Sequence, residues 1–272
     1  MQTTENRNYV NVIDASSDLL SDDIDKVLQT HGGLSQFISK GDRVLLKPNF
    51  NTGDPFPASS DPEFLSTVTQ KVLDITSDVS IIESSTLRLK TVDVINEMMG
   101  AEFKELGVPL ITEQDFNYES IDLKALGAKY IKKVKFPQEI LDPEAKIILL
   151  PCLKTHFVAH FTGALKLAVG FMERKQRVRM HMSRSVPEKV AEINLGYKPH
   201  LIIMDARKIF VTKGPMNGQV ECPQKILVGT NRTEIDLEGV KLIQSYGADN
   251  KLKGVKPEEA RTVKRALELG IE

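Results

Sequence analysis

Short apolar runs rich in β-branched residues alternate along this chain with stretches whose apolar positions recur three and four residues apart. That alternation predicts an α/β protein, with a mostly parallel sheet flanked by helices. Strands are expected at residues 9–13, 43–46, 79–82, 110–112, 146–150, 200–204 and 226–228. Between them, residues 22–37 predict a helix with Ile24, Val27, Leu28 and Leu34 near one stripe, broken at Gly32-Gly33. Asp61-Pro62 opens a second helix, with Asp as cap and Pro at the first helical position. A third covers 91–99 and stops at Gly100, and a fourth begins near Thr162. Helices at 187–195 and 234–246 follow, and a charged one at 257–269 closes the chain.

A length of 272 residues fits one domain over 1–272, or two lobes, 1–145 and 146–272, sharing an interface. With 41% hydrophobic and 27% charged residues, the chain can bury a sizeable core. Its net charge of -1 argues against a basic nucleic-acid coat or a polybasic membrane anchor. No apolar run reaches the ~20 residues of a membrane helix, and MQTTENRNYV lacks a signal-peptide pattern. Two cysteines, Cys152 and Cys222, cannot build a disulfide framework or a four-cysteine cluster site. The expectation is a cytoplasmic protein with no membrane or nucleic-acid partner.

Candidate chemistry gathers where strands end. LLPCLKTHFVAHFTGALKLAVG, residues 149–170, leaves an apolar strand through a polar turn carrying Lys154, Thr155 and His156. A helix starting at Thr162 would put Thr162, Lys166 and Gly170 on one face and offer free backbone N–H groups to an anion. Lysine inside the apolar GALKLAVG run is costly without a partner, which favours a site over a solvated turn. Lys47-Pro48-Asn49 repeats the design at a second strand end, Glu83 and Ser84 at a third, and Asp205 at a fourth. Such convergence suits ligand binding outside the carboxyl ends of a parallel sheet. The Pro- and Asn-rich loop 48–60 is either part of that site or a plain crossover. His156 and His160, four apart, could share a divalent metal with His181, Glu83 or Asp205 if the segment were helical, although no HExxH pattern is present. The locally basic stretch 173–184 reads as a lid over an anion, a docking face, or a solvated helix face. Gly214-Pro215-Met216-Asn217-Gly218 reads as a turn, and Cys152 as a small buried residue.

KPNF at 47–50, DPEF at 61–64, LPCLKTH at 150–156, TGALKLAVG at 162–170, His181, IMDA at 203–206, GP at 214–215 and TNRTEID ending at Asp236 occur in that order. The set resembles the prokaryotic domain-of-unknown-function 362 family, with LKTH and TGALK as its most specific pair. The resemblance implies an α/β domain of unassigned activity, in which Lys47, Asn49, Lys154, His156, Thr162, Lys166, His181 and Asp205 form the shared polar set. Many relatives look like iron–sulfur-centre proteins through an appended ferredoxin-like segment. This chain carries no such segment, so no cluster is expected, and it has Leu167 where the family pattern has asparagine.

Two functions follow as expectations. In the first, an enzyme binds a small anionic metabolite, a carboxylate or phosphate, through Lys47, Asn49, Glu83, Ser84, Thr162 and His181. There His156 or Lys154 moves a proton, Lys166 stabilises negative charge, and Asp205 orients His156. A divalent metal on His156 with His160, His181 or Asp205 is a variant of that reading. In the second, a non-catalytic ligand-binding module serves a ferredoxin-type redox partner, which docks on 173–184.

Overall fold

The structure is a computed structural model that describes residues 10–86 and 88–272. Four apolar segments of the first half form β1 (Asn11–Asp14), β2 (Arg43–Lys47), β3 (Val79–Ile82) and β4 (Leu110–Ile111). A hairpin follows, β5 (Tyr118–Asp122) and β6 (Lys133–Pro137), then β7 (Ala145–Leu149). Two further hairpins, β8 (Lys154–His156) with β9 (His160–Thr162) and β11 (Ile209–Phe210) with β12 (Val220–Glu221), flank β10 (Leu201–Ala206). The last strand is β13 (Lys225–Gly229).

One seven-stranded sheet runs β1-β13-β10-β7-β2-β3-β4. Strands β10, β7, β2, β3 and β4 are mutually parallel, and β13 lies antiparallel between β10 and β1. All seven strands expected from the sequence are in this sheet, with ends shifted by a residue or two. The expected start at residue 9 lies outside the described residues. The sheet interleaves strands from before and after residue 145.

Side chains alternate between the two faces of each strand, and both faces are apolar because helices cover both. Leu46, Ile148 and Ile203 face one core with Ile24 of α1 (Leu20–Gln29), Phe64 of α2 (Pro62–Leu73) and Val94 of α3 (Thr91–Met98). The short α4 (Ala101–Leu106) follows α3. Leu45, Leu149 and Met204 face the other core, with Leu165 of α5 (Ala164–Leu167). Beyond α6 (Arg174–His181), that core also holds Val190 of α7 (Val186–Ile193), Val240 of α8 (Arg232–Gln244) and Val263 of α9 (Arg261–Glu268). Burying one such side chain contributes roughly 1.5–3 kcal/mol, and these layers fix where the strand ends lie.

The sequence places a single interrupted helix over 22–37. The helix ends at Gln29, Gly32 and Gly33 take φ of +81° and +88°, and a short 3-10 turn, Leu34–Gln36, resumes. Those dihedrals suit glycine and end a right-handed helix. Asp61 caps α2 as expected, accepting from the Glu63 backbone N–H at 3.2 Å beside Pro62.

From β2 the chain steps outward through β3 to β4, then returns at β7 to the opposite side of β2. The order therefore reverses between β2 and β7. In open parallel sheets a crevice opens at such a reversal, beyond the carboxyl ends of the strands.

Candidate functional site

A cavity of about 350 Å³ sits at that reversal. Lys47 closes β2, and Glu83 and Ser84 follow β3 directly. The hairpin after β7 brings in the rest. Lys154 pairs with Thr162 and Thr155 with Phe161, so the two-residue period turns Lys154, His156 and Thr162 to one side. All three line the cavity, with Lys166 from α5 and Arg177 and His181 from α6.

This hairpin corrects the expected helix at Thr162. Thr162 ends a strand, and the helix begins at Ala164. The backbone N–H groups expected to hold an anion are already taken: the Asp236 carboxylate accepts from Ala164 at 2.6 Å and Leu165 at 3.1 Å. A Cβ on Gly163 would lie 2.2 Å from Asp236 Oδ1, so this brace requires glycine. Burial pushes the Asp236 carboxyl up to about 7 against those two hydrogen bonds.

The lining carries four cations, Lys47, Lys154, Lys166 and Arg177, against one carboxylate, Glu83. Glu83 is committed to Lys47 at 2.6 Å and accepts from the Phe50 and Ser84 backbone N–H groups at 2.7 Å each. Lys47 also donates to the Pro48 carbonyl at 2.6 Å, and a Cβ on Gly170 would sit 2.9 Å from its Cε. Burial pulls Lys47 below the usual lysine range while Glu83 opposes the shift. Lys154 donates to Cys152, to Sγ at 2.8 Å and the carbonyl at 3.1 Å, and Asn49 reaches the same sulfur at 3.2 Å. Arg177 is held by the Ser84 carbonyl at 2.9 Å and hydroxyl at 2.6 Å.

Lys166 differs from these three. Among the described residues its ammonium has no hydrogen bond or ion pair. Burial, then the Lys154 and Arg177 charges, bring it down to about 8. The Thr162 hydroxyl, buried in the same wall, also has no partner, nor does Arg177 Nε.

The two histidines take opposite tautomers. His156 Nδ1 accepts from the Val158 and Ala159 backbone N–H groups at 3.0 and 3.1 Å, which puts the proton on Nε2. Burial, with Lys166 next in weight, holds this imidazole well below the usual histidine range. His156 is therefore placed as a neutral imidazole that presents Nε2–H as a donor. His181 at the exposed rim donates Nδ1–H to the Arg177 carbonyl at 2.8 Å, leaving Nε2 as an acceptor. Burial lowers it as well, with the Arg177 carbonyl opposing.

Asp205 does not orient His156. It pairs with Arg207, just past the end of β10, at 2.8 and 3.0 Å, and Arg207 also reaches Asp61 at 2.6 Å. Neither Asp205 nor His160 lines the cavity. His160 lies across the hairpin from His156, and its φ of +73° breaks the alternation that would turn it inward. The expected metal set of His156 with His160, His181 or Asp205 is not assembled, and no group of three metal-ligating side chains occurs among the described residues.

The loop 48–60 does join the site, through Asn49, Asn51, Thr52 and Ala58. So does the turn at Gly214, whose Cβ would meet the Thr155 carbonyl at 2.0 Å; Pro215 and Met216 then reach the cavity mouth. Sequence reading offered 173–184 as a lid over an anion but did not single out Arg177 as its inward group. Its signal, one buried apolar neighbour at Met180 on a charged helix, is faint.

The model of the family described as domain of unknown function (DUF362) matches residues 44–241, which hold every strand-end residue of the cavity. The chain belongs to that family. Within DUF362 proteins, it is 25% identical over 199 residues to the thylakoid-associated protein sll1697 of Synechocystis, covering 71% of this chain. It spans 60% of the length of that curated relative. A Thermotoga maritima protein of known crystal structure superposes with a TM-score of 0.48 at 11% identity, over 94% of this chain and 60% of its own. Among the described residues, no helix of this DUF362 member is long and apolar enough to cross a membrane.

Proposed function

We propose that the cavity binds a small metabolite bearing a carboxylate or phosphate, and that Lys166 moves a proton on it. One observation carries this reading: among the described residues, the Lys166 ammonium stands unpaired in a cavity where cations outnumber carboxylates. A half-buried ammonium beside the buried Lys47, Lys154 and Arg177 charges is expensive, and an anion would relieve it. Lys47 and Lys154, already committed on one side to Glu83 and Cys152, set the field. Thr162 Oγ1 and His156 Nε2–H supply neutral donors. With a pKa near 8, Lys166 is poised to exchange a proton near neutral pH. This reading gives Lys166 the proton-moving role that the sequence offered to His156 or Lys154. Both cysteines are free, and Cys222 is exposed, which suits the reducing cytoplasm as the compartment.

The accessory-module reading has less support. It needs the arginines of 173–184 on a docking face, but Arg177 turns into the cavity and Arg174 pairs with Glu113. Arg179 remains exposed.

The test is calorimetric titration with inorganic phosphate and with malonate, comparing wild type and Lys166→Met. At least one probe is expected to bind wild type, and to lose on the order of tenfold or more in the variant, since hydrogen bonds to charged groups contribute about 1.5–3 kcal/mol. Unchanged affinity in Lys166→Met would overturn the proposal.

A further inference from the structure

The cavity has two chemically distinct zones. Its floor is polar and deep: Lys47, Glu83, Lys154 and Thr162 are all buried. Its open mouth is mixed: the polar His181, Asn51 and Thr86 stand there with four apolar side chains. Val178 and Met182 rise from α6 and its end on one side, and Pro215 and Met216 from the turn on the other. Met182 is 83% exposed and Met216 50% exposed, which is unusual for unbranched apolar side chains. Leu167 and Val169 continue the apolar wall inward.

Two exposed methionines facing one opening offer an adaptable, polarisable surface, of the kind used to grip apolar groups of variable shape. A ligand that was all head group would leave this rim wet. One with a bare hydrocarbon end would leave the cationic floor unneutralised.

We infer that the ligand is an amphiphile, with an anionic head in the Lys47–Lys154–Lys166 floor and an unbranched apolar tail leaving between Met182 and Met216. The inference rests on the anion site proposed above and adds the substrate class. The cavity, about 350 Å³, is of small-molecule size. The occupant is accordingly a soluble single-chain molecule, not a two-chain lipid held in a bilayer.

The probes are inorganic, methyl, butyl and octyl phosphate below micellar concentration, titrated into the full chain. Affinity is expected to rise from methyl to octyl by on the order of two- to fourfold per methylene, the range for half to full burial of each group. Met182→Ser/Met216→Ser should flatten that rise; both side chains are exposed, so circular dichroism should report an unchanged fold. If inorganic phosphate and every ester fail to bind, the anion site itself falls. If phosphate binds and lengthening the chain adds nothing, the tail inference alone falls. Sedimentation with phosphatidate-containing vesicles, without binding of monomeric octyl phosphate, would also overturn it.

Discussion

Two clusters of buried charge stand on the same scaffold and end in opposite states. Glu192 of α7 is fully buried and accepts from the Lys129, Tyr130 and Ile131 backbone N–H groups and from Arg265 at 2.7 Å. Arg265 in turn donates to Glu268 and to the Gly127 carbonyl. That cluster ties a loop and a closing helix to the core. The strand-end cavity buries Lys47 and Lys154 as deeply, yet among the described residues it leaves the half-buried Lys166 ammonium, the Thr162 hydroxyl and Arg177 Nε without partners. Burial alone does not mark a site; unanswered burial does.

The largest effect is expected where the answer is complete. Glu192→Ala would strip Arg265 and three N–H groups at once, costing stability toward the upper end of ~3–5 kcal/mol. Denaturant melts should show that loss with no change in sulfate affinity. An equal loss of sulfate binding would dissolve the distinction between the clusters. Glu83→Gln comes next. It leaves Lys47 without its counter-charge, at a cost of roughly 3 kcal/mol, and excess sulfate should restore part of the melting temperature. No recovery would mean that anions do not reach the floor.

A pH series sharpens the contrast further. Lys166 titrates near 8 in the folded chain and near the ordinary 10.5 when unfolded. Above pH 8 the unfolded chain therefore holds more protons, and stability rises with pH, from about 8 toward the ordinary lysine range. Lys47 is lowered too and adds in the same direction. Denaturant midpoints from about pH 7.5 to 9, below the tyrosine range, should climb in wild type and climb less in Lys166→Met. Equal slopes would remove Lys166 as the group responsible. The smallest effect belongs to Thr162→Val. The hydroxyl has no partner among the described residues, so stability should hold, while sulfate affinity drops by about tenfold, as for one hydrogen bond to a charged group at the lower end of ~1.5–3 kcal/mol.

The sheet was legible because its strands are continuous apolar runs, a pattern that a twice-covered parallel sheet imposes. The hairpins were not. β5–β6 mixes polar and apolar residues, β11–β12 has strands of only two residues, and β8–β9 hides in KTHFVAHFT, where the apolar residues fit no clean period. Reading TGALKLAVG as a helix was right from Ala164 onward. It failed at Thr162 because Asp236, 72 residues beyond Ala164 in the sequence, occupies the helix end. That Lys47 would meet the segment holding Lys154, His156 and Lys166 was legible, since parallel strands deliver their exits to one edge, but the hairpin that aims Lys154 and His156 was not. Roles were less so. The tautomer of His156 depends on two backbone N–H groups, and Asp205 had a nearer claimant in Arg207.

The central claim is that Lys166 is the unpaired cation an anion comes to meet. Proton exchange on binding sulfate, a dianion that does not itself titrate here, tests this directly when measured by calorimetry in buffers of differing ionisation enthalpy. With Lys166 near 8, binding should draw in about half a proton per sulfate at pH 8 and almost none at pH 6, and Lys166→Met should abolish the uptake. Sulfate that binds at pH 8 with no proton taken up, or with the same uptake in the variant, would contradict the account.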